Sequence, residues 1–176
     1  MAADPTKALQ STAHHEAGHA VAAWCRGVPI KALSIQALGG TDGRFEHQPF
    51  VGDPGLSPFG LDDFRAQVED LAVVLYAGPE AQRRFDPDGM RAIHGDGDER
   101  MADTLLGLLS SDDEVRAAYA NLYRVLARKF VGLPGVWRAI GNLAGDLLDR
   151  QRMTGLEVEA VIGEVLGNQP RRCAFD

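Results

Sequence analysis

The chain has 176 residues and a mass of 19.0 kDa, enough for one domain whose core can fold without disulfides or an obligatory metal. Apolar residues make up 45% and charged residues 24%, which excludes low-complexity disorder for most of the chain. A net charge of -7 with no basic cluster makes nucleic acid and anionic membrane poor partners, and so short a chain cannot hold a catalytic domain and a nucleotide-driven motor together.

The first periodic segment, Pro5 to Arg26, is Ala-rich and reads as a helix stopped by Gly27 and Pro29. Ile30 to Ala37 ends in odd-numbered apolar alternation at Leu33, Ile35 and Ala37, the pattern of a half-buried strand. Gly39 to Gly43 is a turn, Arg44 to Gln48 a short return strand, and Asp53 to Gly60 a loop. From Leu61 the helical period takes over. Phe64, Val68, Leu71 and Leu75 form one apolar face of a helix that ends near Phe85, before Asp86-Pro87-Asp88-Gly89.

A polar stretch, His94-Gly95-Asp96-Gly97-Asp98, leads into a helix bearing Met101, Leu105, Leu108 and Leu109. Ser111-Asp112-Asp113-Glu114 reads as a capping box, with Val115, Tyr119, Leu122, Leu126 and Phe130 on one face of the helix behind it. Pro134 opens another helix, with Val136, Ile140, Leu143 and Leu147 inward. Thr154-Gly155-Leu156-Glu157 is a second capping box, followed by Val158, Val161, Ile162 and Val165. Residues 167–176 have no period and read as a flexible tail. The expectation is a mainly α (α+β) single domain over 1–176, with its core at about 10–166 and a small β element near residues 30–48.

Two isolated cysteines, Cys25 and Cys173, make neither a disulfide framework nor a Cys-based zinc site, which suits a reducing cytoplasm. Met1 to Gln10 lacks the apolar run of a secretory signal. The most apolar stretch, Leu71 to Ala77, is far short of the ~20 residues of a membrane span.

Chemistry concentrates in the first helix, where His15-Glu16-Ala17-Gly18-His19 has the HExxH spacing. Residues four apart lie one above the other on a helix, so two imidazoles there can share a metal ion at ~2.0–2.1 Å. Glu16, beside the first of them, can face a water held by that metal and act as general base in attack on a carbonyl. Two imidazoles, one carboxylate and a water describe an open zinc site. The flanking Ala13, Ala17, Ala20, Val21, Ala22 and Ala23 are small, and Gly18 inside a helix is tolerable where another backbone passes close. His14 lies about 100° round the helix from His15, which disfavours it as a ligand. For a third ligand the sequence offers His47, Glu46, Glu69, Glu80, His94, Asp96, Asp98, Glu99 and Asp103, with the Gly-punctuated cluster at 94–99 standing out.

With these residues in place, the sequence resembles the peptidase domain of the FtsH-type ATP-dependent zinc metalloproteases. His15-Glu16-Ala17-Gly18-His19-Ala20 matches that family's HEAGHA motif in full. Leu75 to Gln82 is similar to its GGRAAE helix segment, with Pro79 and Gln82 where the family has Arg and Glu. Gly95 to Ala102 is similar to its GASNDxxxA segment, whose Asp is the third zinc ligand. Asp98, four residues before Ala102, is the matching position, with Asp96 as the alternative. The resemblance spans roughly residues 10–166. It implies a helical zinc-peptidase domain with Zn2+ on His15, His19 and Asp98 and Glu16 as catalytic base. It also implies an extended polypeptide substrate paired with an edge strand, supplied here by Ile30–Ala37 or Arg44–Gln48. No GxxxxGK[ST] motif and no membrane anchor occur in the sequence. The expected function is therefore a stand-alone cytoplasmic endopeptidase acting on unfolded polypeptides, or on chains delivered by a separate ATPase in trans. The competing expectation is a non-proteolytic zinc-binding regulatory or interaction domain derived from such a peptidase.

Overall fold

A computed structural model describes residues 5–35, 44–47, 61–88 and 96–168. Among these, six helices and three strands follow in the order α1 (Pro5–Arg26), β1 (Ile30–Ser34), β2 (Arg44–His47), α2 (Leu61–Phe85), α3 (Asp96–Leu106), α4 (Asp113–Gly132), α5 (Pro134–Arg150), β3 (Arg152–Thr154) and α6 (Gly155–Leu166). The protein is mainly helical with a small antiparallel sheet, as its periodicities predict. The β1 pattern expected to run to Ala37, the turn at 39–43 and the loop at 53–60 fall wholly or partly outside the described residues.

Helix α1 ends as its sequence directs. Gly27 takes a positive φ of 69°, and Val28 N–H reaches back to the Ala23 carbonyl at 2.9 Å, the closure of a Schellman motif. The Ala-rich side of α1 is buried and lies against α2 at very short range. A Cβ on Gly18 would stand 2.7 Å from the Ala77 carbonyl oxygen and 2.7 Å from the Ala81 side chain. The glycine inside the helix is thus explained by the approach of α2. Arg26 donates to Asp70 at 2.9 Å and ties the C-terminal end of α1 to the first half of α2.

The sheet order is β2-β1-β3, with both pairings antiparallel. Leu33 stands opposite Phe45 on one side and Met153 on the other. Strand β3 was not expected. Its three residues are too few to show alternation, and they pair only because Gln151, at φ 62°, turns the chain out of α5 towards β1. Thr154 then caps α6 in the full capping box that its sequence predicts, with Glu157 reaching back to the Thr154 N–H at 2.8 Å. Gly155 lets α6 start against β1, because a Cβ there would fall 2.0 Å from the Ile30 carbonyl oxygen.

Two apolar clusters form the core. One joins α1, α5, α6 and the sheet around Val21, Leu33, Ile140, Leu143, Leu147, Met153 and Ile162. The other joins α2, α3 and α4 around Val68, Tyr76, Ala102, Leu106, Tyr123 and Ala127. Helix α2 serves both, since Val74, Ala77 and Ala81 belong to the first cluster and Val68, Ala72 and Val73 to the second.

Three features depart from what the sequence pattern predicts. Helix α3 stops at Leu106 and buries Ala102 and Leu106, leaving Met101 and Leu108 outside. Helix α4 buries Tyr123, Ala127, Phe130 and Val131, so Val115 and Leu122 face outward. The cap of α4 is Asp112, not Ser111: its carboxylate accepts from the N–H groups of Glu114 at 2.9 Å and Val115 at 3.0 Å. A carboxylate at the helix N-terminus gains from the helix dipole as well as from the hydrogen bonds, so it displaces the neighbouring hydroxyl from the cap.

Candidate metal centre

His15 and His19 sit one turn apart on α1, and Asp98 reaches them from the first turn of α3. Their ligand atoms lie within 4.8 Å of one another. His15 Nε2 and His19 Nε2 are 3.0 Å apart, and Asp98 Oδ2 is 3.0 Å from the first and 3.4 Å from the second. Tetrahedral ligands at ~2.0–2.1 Å from one ion stand about 3.3 Å from each other, so the spacing fits a metal of zinc size.

The far side of each imidazole decides what its near side can do. His15 Nδ1 donates to Gln82 Oε1 at 2.9 Å, and His19 Nδ1 donates to the Val74 carbonyl at 2.8 Å. Both oxygens only accept, so both Nδ1 atoms carry hydrogen. The neutral rings then aim two Nε2 lone pairs at the Asp98 carboxylate. Three acceptors converging at hydrogen-bond range repel one another unless positive charge lies among them. A proton can supply part of that charge and a divalent cation all of it, so the donor set suits a metal.

The electrostatics point the same way. Burial works against charge on His19, yet Asp98, Glu16 and the Val74 carbonyl outweigh it and raise its pKa to about 9. Burial likewise opposes ionisation of Asp98, but His19 and His15 prevail and hold its carboxyl well below the usual carboxylate range. Glu16 is 6% exposed. Burial raises its pKa, with His19 and His15 pulling the other way and Asp98 adding to the rise. A buried carboxyl poised above its ordinary value is suited to taking a proton and giving it back.

Two features of α2 that the sequence reading did not assign complete this arrangement. Gln82, standing where the resembled family has Glu, orients His15. Gly78 leaves room for His19, since a Cβ there would lie 2.3 Å from His19 Nε2. Val74, Gly78 and Gln82 follow one another at four-residue steps along one face of α2, and that spacing is the signal that could have found them.

Among the other candidates, Glu69 pairs with Arg65, Glu80 with Arg83, Glu99 with Arg124 and Asp103 with Arg116. Glu46 stands on β2, opposite Ala32. His14 Nδ1 donates to the Gln10 carbonyl oxygen at 2.8 Å, and its ring stacks on Phe85 with the centroids 3.9 Å apart. Cys25 is buried within the first apolar cluster. His94 and the side chains of His47 and Asp96 lie outside the described residues. Of the two strands expected to offer an edge, β1 is excluded because it is paired on both sides; β2 pairs only with β1 among the described residues.

No family model matches this chain, and no curated protein matches it.

Proposed function

We propose that the protein is a zinc-dependent endopeptidase, built like an FtsH-type peptidase domain and working in the cytoplasm. The observation that carries this reading is the convergence of His15, His19 and Asp98 beside the buried carboxyl of Glu16. Zinc held by those three residues would supply Lewis acidity and a water ionising near pH 7. Gln82 and the Val74 carbonyl hold the two imidazoles in the tautomer that presents Nε2. Glu16 accepts the proton of the attacking water and returns it to the departing amide nitrogen. Strand β2, which pairs only with β1 among the described residues, lies in the sheet that α1 packs against, and an extended polypeptide would add to the sheet beside it. The substrates in this reading are unfolded chains, or chains delivered by a separate ATPase.

The test is zinc content measured together with cleavage of an unfolded protein. His15→Ala, His19→Ala and Asp98→Ala should lose both. Glu16→Gln should keep the zinc and lose cleavage by at least about a hundredfold. Undiminished cleavage in Glu16→Gln would refute the mechanism. Stoichiometric zinc with no turnover of any unfolded protein or peptide library by the wild type would favour the binding-domain reading instead.

A further inference from the structure

Helix α4 carries an apolar stripe that the core does not use. Its inner side packs towards α2, α3 and α5. Val115, Ala118, Leu122 and Val125 follow at steps of three, four and three residues, the spacing of a coiled-coil seam. Val115 is 43% and Leu122 47% exposed; Ala118 is exposed and Val125 half-buried. The stripe is flanked by charge of opposite sign at its two ends. Asp112, Asp113 and Glu114 open the helix, and Arg124, Arg128 and Lys129 close it. Asp113 is engaged by Arg116 and Arg124 by Glu99, whereas Glu114, Arg128 and Lys129 have no ion pair among the described residues.

We propose that this face is the contact between two copies of the chain, with their α4 helices antiparallel about a two-fold axis level with Ala120, whose own side chain packs inward. In that arrangement Val115 meets Val125 of the second copy, and Ala118 meets Leu122 of the second copy, each contact occurring twice. Ala118 lies opposite the larger Leu122 and valine lies opposite valine, so the helices can interdigitate at close range. Glu114 flanks Arg128 of the second copy, again twice. Both residues flank the seam on the same side, and only an antiparallel pair brings that side of one copy against the same side of the other; a parallel pairing would leave Glu114 without a cation, so the charges choose the antiparallel sense. Complementarity of both size and charge under one two-fold axis favours a second copy over an unrelated partner. A seam of four apolar residues belongs at the small end of specific interfaces, roughly below 1,200 Å², so the dimer forms in the micromolar range and exchanges.

Sedimentation velocity of the full chain, from about 1 to 200 µM at low ionic strength, tests this. Wild type should show a monomer–dimer equilibrium, and Leu122→Glu should remain monomeric with an unchanged far-UV circular dichroism spectrum. Glu114→Arg and Arg128→Glu should each raise the dimer dissociation constant roughly tenfold, and the two together should restore it. These charge variants lie on the surface and keep the test open if Leu122→Glu disturbs the fold. A wild type that stays monomeric throughout, a dimer untouched by Leu122→Glu, or a double variant no tighter than the singles would each overturn the proposal.

Discussion

At the scale of single residues, Gln82 is the most informative side chain outside the ligand set. A carboxylate at this position would draw the Nδ1 proton of His15 and make the imidazole a stronger donor to a metal. The neutral amide fixes the same tautomer with less charge. Gln82→Ala should weaken zinc binding by about ten- to a hundredfold, and Gln82→Glu should strengthen it, as read by competition with a chromophoric chelator. Equal affinities in all three proteins would show that Gln82 does not orient His15. His19 gives the metal-free protein a pH dependence of definite sign. Its pKa is raised from 6.5 to about 9 in the fold, so the stabilisation is complete below 6.5 and is lost as pH climbs through 9. With zinc removed, the melting temperature should fall across that window, and His19→Asn should flatten the fall. A flat wild-type profile would mean that His19 holds no proton there. With zinc bound as proposed, the order would reverse, because the metal would compete with protons for the same lone pairs and bind more tightly as pH rises.

At the scale of elements, the site depends on how closely α1 and α2 approach. Pro79 inside α2 forgoes one backbone hydrogen bond of its own turn, and the carbonyl of Val74, in the turn just before it, is the acceptor for His19. Gly18 and Gly78 are the two positions on which this crossing rests. Gly78→Ala should displace the His19 ring, abolish stoichiometric zinc and cost about 1–3 kcal/mol of stability in chemical denaturation. Thr154→Ala removes a cap remote from the ligands and should cost about 1 kcal/mol with zinc content unchanged. If Gly78→Ala bound zinc as well as Thr154→Ala does, the close approach would be a matter of packing alone.

At the scale of the whole molecule, the ligand set joins the two apolar clusters. The histidines stand on α1, which packs in the first cluster, and Asp98 stands on α3, which packs in the second. Zinc bound across them, as the proposed function requires, would stabilise the docked arrangement by mass action. Saturating zinc should therefore raise the melting temperature of the whole protein, by about 2.7 kcal/mol of stability at a hundredfold excess over the dissociation constant. Asp98→Ala should remove most of that response. A wild-type melting temperature indifferent to zinc and to chelator would count against a shared ion. Among the described residues no helix is long and apolar enough to cross a membrane, in keeping with the short apolar runs of the sequence.

The bounds of α1 and α2, the stop at Gly27, the inward face of α5, the capping box at Thr154 and the paired histidines are properties of neighbouring residues. Period, cap and turn chemistry act within a few positions, and the sequence by itself determined them. Tertiary packing decided the rest. The outward turn of Val115 and Leu122 on α4 depends on where α2 and α3 lie, because that helix has apolar residues on more than one side. Strand β3 exists because β1 stands beside it, and its three residues show no period of their own. The placing of Asp98 against the histidines and the partnership of His15 with Gln82, 67 residues away, follow from how three helices cross. Sequence spacing carries the geometry within one helix, whereas the contacts between helices come from the fit of whole faces.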